Sequence, residues 1–127
     1  MKKGVPSSLR VWFLIHFAVD MIFAILLIFF PRYMFQFFGF FGQKALARMV
    51  GAALFAIGGA SFFTYKSGKE SYNTMLTLKL LWSGAAIAGL LCSVFSGESI
   101  KLWYAIGIFF AFFLVWVYYK SKFVFKK

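Results

Sequence analysis

Apolar residues fill this chain in four runs, Leu9 to Phe30, Ala45 to Tyr65, Met75 to Phe95 and Ile100 to Tyr119, and polar residues gather between them. Each run comes close to the ~20 residues with which a helix crosses ~30 Å of hydrocarbon. The pattern predicts an all-α integral membrane bundle of four transmembrane helices. Residues 31–42, between the first two runs, are too few and too aromatic to span. Pro31 ends the first helix, because it lacks an N–H and restricts the residue before it. Arg32 and Gln36 then fall four apart among phenylalanines, which predicts a short interfacial helix with its polar side to water. Gly39 and Gly42 let the chain turn back. The polar stretch Lys66–Thr74 reads as the loop of an antiparallel hairpin joining the second and third spans. Nothing divides residues 1–127 into more than one membrane domain.

Small residues crowd the second and third runs. The rows Ala52/Ala56/Ala60 and Ala85/Gly89/Ser93 are complete, and Gly51/Phe55/Gly59 is an imperfect one; spacing of this kind lets helix backbones approach closely in lipid. These rows predict that the second and third helices form the tightly packed centre. The first and fourth, heavier in Phe, Trp, Ile and Leu, are expected to present more surface to lipid.

Ionisable side chains inside spans cost ~2.5–3.5 kcal/mol each on insertion scales, so each needs a reason. Asp20 lies near the middle of the first helix, with His16 one turn earlier on the same face. That face collects Leu9, Trp12, Phe13, His16, Asp20, Phe23, Ala24 and Leu27. The opposite face, Val11, Leu14, Ala18, Ile22, Ile25 and Phe29, is uniformly suited to lipid. On the third helix Lys79 and Ser83 are four apart, with Ala86, Leu90 and Ser93 following on their face. The first and third spans run in the same direction, and ~1.5 Å of rise per residue sets His16 near the depth of Lys79 and Asp20 near Ser83. Lys79 is therefore expected to neutralise Asp20, with Ser83 and His16 completing the hydrogen bonds. Arg48, entering on the second helix from the opposite side, is the competing partner. The candidates for binding a ligand or ion are thus Asp20, His16, Lys79, Ser83 and Arg48. Two readings stay open. In one the buried pair only fixes helix register while Lys79 snorkels to the interface; in the other the acid and histidine hold a cation or proton linked to a substrate.

Composition agrees with a lipid solvent: 63% hydrophobic, 24% aromatic and 13% charged, against about half apolar and a quarter charged in soluble domains. The net charge of +11 does not indicate nucleic acid, since the basic residues sit at the ends of the runs and form no stripe. They bear on topology instead. Ten basic residues (Lys2, Lys3, Arg10, Lys66, Lys69, Lys79, Lys120, Lys122, Lys126, Lys127) lie toward one side and four (Arg32, Lys44, Arg48, Lys101) toward the other. The positive-inside bias then predicts a multi-pass protein of the cell membrane with both termini cytoplasmic. The basic tail 120–127, with Phe123 and Phe125 interspersed, is expected to lie on anionic lipid of the cytoplasmic leaflet, each Lys adding ~1 kcal/mol. Met1-Lys2-Lys3 imitates the start of a cleaved signal. The run that follows is too long, is interrupted by His16 and Asp20, and has no small-x-small cleavage site, so it is expected to be retained.

The residues for most catalysis are missing from the spans. A zinc or di-iron site wants three or more His, Cys or carboxylate ligands; His16 is the single histidine, and Glu70 and Glu98 fall in loops. Haem would find one histidine. No phosphate loop or nucleophile elbow occurs. No metal and no cofactor are expected, and an enzyme is the least favoured class. Cys92, the lone cysteine, can form no internal disulfide and reads as a buried small packing residue. What remains is a non-catalytic accessory or small-ligand or lipid-binding role. The alternative is a proton- or cation-coupled small transporter or channel using Asp20 and His16. A lipid- or quinone-modifying enzyme, using Ser83 with His16, stands third. Because a small bundle buries little area, a homo-oligomer is expected.

Leu26–Phe30 running into Pro31, Phe37-Phe38-Gly39, Ala47-Arg48-Met49-Val50-Gly51-Ala52 and Gly58-Gly59 together resemble small four-helix membrane proteins of the DoxX-like group. The resemblance covers the first half of the chain. It implies a membrane accessory role or a link to quinone and sulfur redox chemistry. No redox residue matches beyond Cys92, so no catalytic position is carried over. The single mid-membrane acid in the first helix is similar to that of small multidrug transporters, although those use a glutamate and a later glycine pattern that is missing here.

Overall fold

A computed structural model describes residues 4–39 and 44–124. Gly42, Phe125 and the four terminal lysines Lys2, Lys3, Lys126 and Lys127 lie outside the described residues. Five α-helices follow one another: α1 (Ser7–Phe29), α2 (Pro31–Phe38), α3 (Lys44–Thr64), α4 (Lys69–Phe95) and α5 (Leu102–Tyr119), with a π-helical turn over Lys120–Val124. Four of them, all but α2, are long and apolar enough to cross a bilayer, the make-up of a multi-pass membrane protein. α1 and α4 point one way, α3 and α5 the other. The start of α1 and the end of α5 share one end of the bundle, and α2 lies at the other.

α1 realises the seam expected of it. Leu9, Phe13, His16, Asp20, Ala24 and Leu27 are buried, while Val11, Ile22, Ile25 and Phe29 face outward. Pro31 occupies the first turn of α2, where its missing N–H costs nothing. In α2, Pro31, Met34 and Phe38 turn inward, and Arg32 and Gln36 turn outward as the four-residue spacing requires. Gly39 closes this helix at φ 70°, and a Cβ there would stand 2.2 Å from Ser99 Oγ, so only glycine fits.

The packing centre differs from the expectation. α1 packs along α3, and α4 along α5, whereas α3 and α4 barely meet. The buried stripe of α3 is Ala47, Gly51, Leu54, Gly58 and Ser61, not the Ala52/Ala56/Ala60 row, in which Ala52 and Ala56 face outward. Its two glycines are close-approach positions against α1. A Cβ on Gly58 would lie 2.7 Å from Asp20 Cβ, and one on Gly51 would lie 2.8 Å from Ile28 Cγ1 and 3.0 Å from the Ala24 carbonyl. In the row Ala85/Gly89/Ser93 of α4, a Cβ on Gly89 would meet nothing within 4 Å. Small side chains permit close packing; they do not choose the partner. For the same reason α4, rather than α1 or α5, turns the largest share of its span outward. Cys92 on α4 is exposed, not buried.

α4 also begins earlier than expected, at Lys69 rather than Met75. Hydropathy marks where lipid ends, not where a helix ends. Gly68 enters in an extended conformation and Glu70 sits in the first turn, favourable to the helix dipole. Tyr72 is fully buried, and its hydroxyl donates to the Tyr65 carbonyl at 2.7 Å. Arg10, also buried, donates to the same carbonyl and lies over the Tyr72 ring. Lys120 is tied back to α4. Its Nζ donates to Asn73 Oδ1 and Thr77 Oγ1, holding the end of α5 against α4.

Candidate functional site

The polar seam of α1 meets α3 and α4 at one point. Lys79 of α4 is fully buried and does not snorkel. Its Nζ lies 2.5 Å from His16 Nδ1 and 2.5 Å from Ser61 Oγ, over the rings of Phe13 (4.7 Å) and Trp116 (4.9 Å). The four-carbon stem of Lys79 carries its ammonium from α4 to His16 of α1 and Ser61 of α3. With Nζ donating to Nδ1, the imidazole proton belongs on Nε2, and Nε2 stands 3.3 Å from Asp20 Oδ1. The result is a line of side chains, Ser61, Lys79, His16 and Asp20, crossing from α3 through α4 to α1.

This arrangement corrects the expected one in three respects. Among the described residues Lys79 makes no direct ion pair with Asp20, because His16 stands between them. Ser83 does not bond the acid either; its hydroxyl donates back to the Lys79 carbonyl at 2.6 Å, satisfying itself on its own helix. Arg48 does not partner Asp20. Its Nε donates to the Ile28 carbonyl at 3.0 Å on the exposed surface, satisfying an orphan acceptor in the last turn of α1. Ser61 was missed as a polar partner because the run Gly58-Gly59-Ala60-Ser61 reads as small packing residues. Its hydroxyl donates to the Ile57 carbonyl at 3.1 Å and accepts from Lys79.

Beside this line lies a cavity of about 560 Å³, within the ~300–1,000 Å³ range of small-molecule sites. Its walls are almost wholly apolar: Phe23, Leu27, Leu54, Ala86, Leu90 and Phe109 among others, with Met34, Phe35 and Phe38 of α2 at one end. His16, Asp20, Trp82, Ser83 and Ser93 supply polar groups. Leu46 and Val50 of α3 and Ala85 and Gly89 of α4 belong to the lining and are also exposed, so the cavity opens sideways between α3 and α4. The small-residue row Ala85/Gly89/Ser93 of α4 lines this gap instead of closing it, and the Ala52/Ala56/Ala60 row of α3 is not part of its lining.

Two buried side-chain atoms here lack a hydrogen-bond partner, Asp20 Oδ2 and Trp82 Nε1. Both residues line the cavity. Each such group is expensive in a low-dielectric interior. Trp82 carries no signal in the sequence, since one tryptophan in an apolar run reads as packing; it contributes an edge contact to Phe109 at 5.9 Å.

Fold and cavity together define a helical multi-pass membrane protein with a laterally open intramembrane chamber. Compared with family models, with curated proteins and with solved structures, the chain matches none.

Proposed function

We propose that this is a non-catalytic membrane protein that binds a small or lipid-like ligand within the bundle. The observation carrying this reading is the apolar chamber lined by Asp20 and Trp82, each of which has one buried polar side-chain atom without a hydrogen-bond partner, Oδ2 and Nε1. An apolar pocket with a few convergent polar groups is the usual form of a ligand site. The basic residues at the termini end support cytoplasmic termini in the cell membrane, with Lys66 and Lys122 outward-facing toward anionic lipid. Self-association is proposed with it, through outward apolar faces of α1 or α5.

The test is purification in mild detergent followed by lipid extraction and native mass spectrometry. A bound molecule at about one per chain is expected. Gly89→Phe, at a position where an added Cβ meets nothing, places a ring at the chamber mouth and removes that molecule without lowering thermal stability. A chain that carries no bound molecule and takes up no added amphiphile overturns the reading.

A second reading, proton-coupled transport, draws on one observation. The line Lys79, His16, Asp20 ends at the chamber wall, an arrangement suited to exchanging a proton with an occupant. It requires that Asp20→Asn abolish ligand-dependent proton release from the purified protein while leaving the fold intact.

A further inference from the structure

The chamber's polar inventory restricts what it can hold, and the following rests on the ligand-binding reading above. Asp20 and Lys79 are one acidic and one basic side chain bridged by His16, so the cluster is formally balanced without any ligand. A charged head group brought beside it leaves one uncompensated charge in the apolar interior, which costs far more than burying a neutral polar group. The two partnerless atoms are of opposite kind. Oδ2 of a carboxylate accepts, and the indole Nε1–H only donates. A head satisfying both must donate and accept at once. A hydroxyl does so; a carboxylate or phosphate only accepts, and an ammonium only donates.

Depth gives the same answer. Asp20 lies nine residues from the α2 end of α1 at Phe29, or about 14 Å into the bundle. A head group reaching it leaves the interface and travels to mid-bilayer depth, which is tolerable for a hydroxyl and prohibitive for an ionic head. The route is the gap between α3 and α4, bordered by Leu46, Val50, Ala85 and Gly89. The remaining wall, up to Met34 and Phe38 of α2, is apolar apart from the Ser93 hydroxyl and suits a hydrocarbon tail.

We infer that the chamber takes a neutral amphiphile with a hydroxyl head, entering sideways from the bilayer, its head between Asp20 and Trp82 and its tail toward α2. Both polar atoms are set into the wall, so the head shifts their side chains slightly as it seats.

The test is equilibrium binding of radiolabelled hexadecanol, hexadecanoate and hexadecylamine, amphiphiles of equal chain length, to the full-length protein in nanodiscs. Hexadecanol is expected to bind saturably and at least about tenfold more tightly than the other two. Trp82→Phe removes the donor while keeping an aromatic ring, and is expected to weaken hexadecanol about tenfold. Asp20→Asn leaves Lys79 without its counter-charge, and is expected to move the preference toward hexadecanoate. If the wild type prefers either charged amphiphile, or if Trp82→Phe leaves hexadecanol binding unchanged, this inference is overturned while the ligand-binding reading stands. If none of the three binds saturably, the inference also fails, and the lipid-extraction measurement decides separately whether the chamber is used.

Discussion

The two ends of the bundle draw on the same apolar residues and pack them to opposite effect. At the termini end Phe13, Tyr72 and Trp116 are essentially fully buried. Phe13 stacks on Tyr72 at 4.3 Å and meets Trp116 edge-on at 5.8 Å. At the α2 end Leu27, Met34, Phe38, Leu54 and Ala105 are buried in a second cluster, yet they also line the chamber. Lipid explains why the second arrangement persists. With hydrocarbon as solvent, no hydrophobic force draws two helices together, and closure depends on shape and on polar links. The termini end has those links: Arg10 to the Tyr65 carbonyl, Lys79 to His16 and Ser61, Tyr119 to Ser8. Toward α2, no side-chain hydrogen bond joins α3 to α4 among the described residues. The gap stays open because nothing specific closes it.

If polar links hold one end shut, cutting the central one has the largest consequence. Lys79→Met strands the Asp20–His16 pair and should lower unfolding free energy by about 3–5 kcal/mol, measured by denaturant titration in detergent. Adding Asp20→Asn should return part of that loss, giving a coupling above about 0.5 kcal/mol in the double-mutant cycle. Strictly additive losses would show that the line of side chains is not a unit.

The next contrast sets one substitution at two glycines. Gly58→Val drives a side chain into Asp20 across the α1–α3 contact and should cost about 1–3 kcal/mol. Gly89→Val at the chamber mouth should change stability by less than about 0.5 kcal/mol. Equal losses would mean the chamber is closed in the folded protein.

The smallest difference separates two serines beside the same lysine. Ser61→Ala removes an acceptor from a buried Nζ and should cost about 1 kcal/mol. Ser83→Ala removes a hydroxyl bonded only within its own helix and should cost less. A reversed order would argue that Ser83, not Ser61, supports the lysine.

Much of this was legible because α1 obeys a single period. Its buried and outward residues alternate as the 3.6-residue repeat requires, and helix rise set His16 and Lys79 at one depth, although Lys79 was expected to meet Asp20 and meets His16 instead. The partner of each helix was not legible in the same way. Gly51, Gly58 and Gly89 look alike as letters, yet two of them lie under α1 and the third opens on the chamber. Trp82 became notable only when its indole nitrogen proved buried and partnerless.

Four spans, their order and the one polar face of α1 were written in the chain, since length and periodicity act locally and the bilayer fixes how long a span must be. Which spans pair, that His16 stands between Lys79 and Asp20, and that a chamber separates α3 from α4 arose from long-range packing. Among helices equally at ease in lipid, composition gives no preference between neighbours, and the choice falls to shape at a few glycines and to the reach of one lysine.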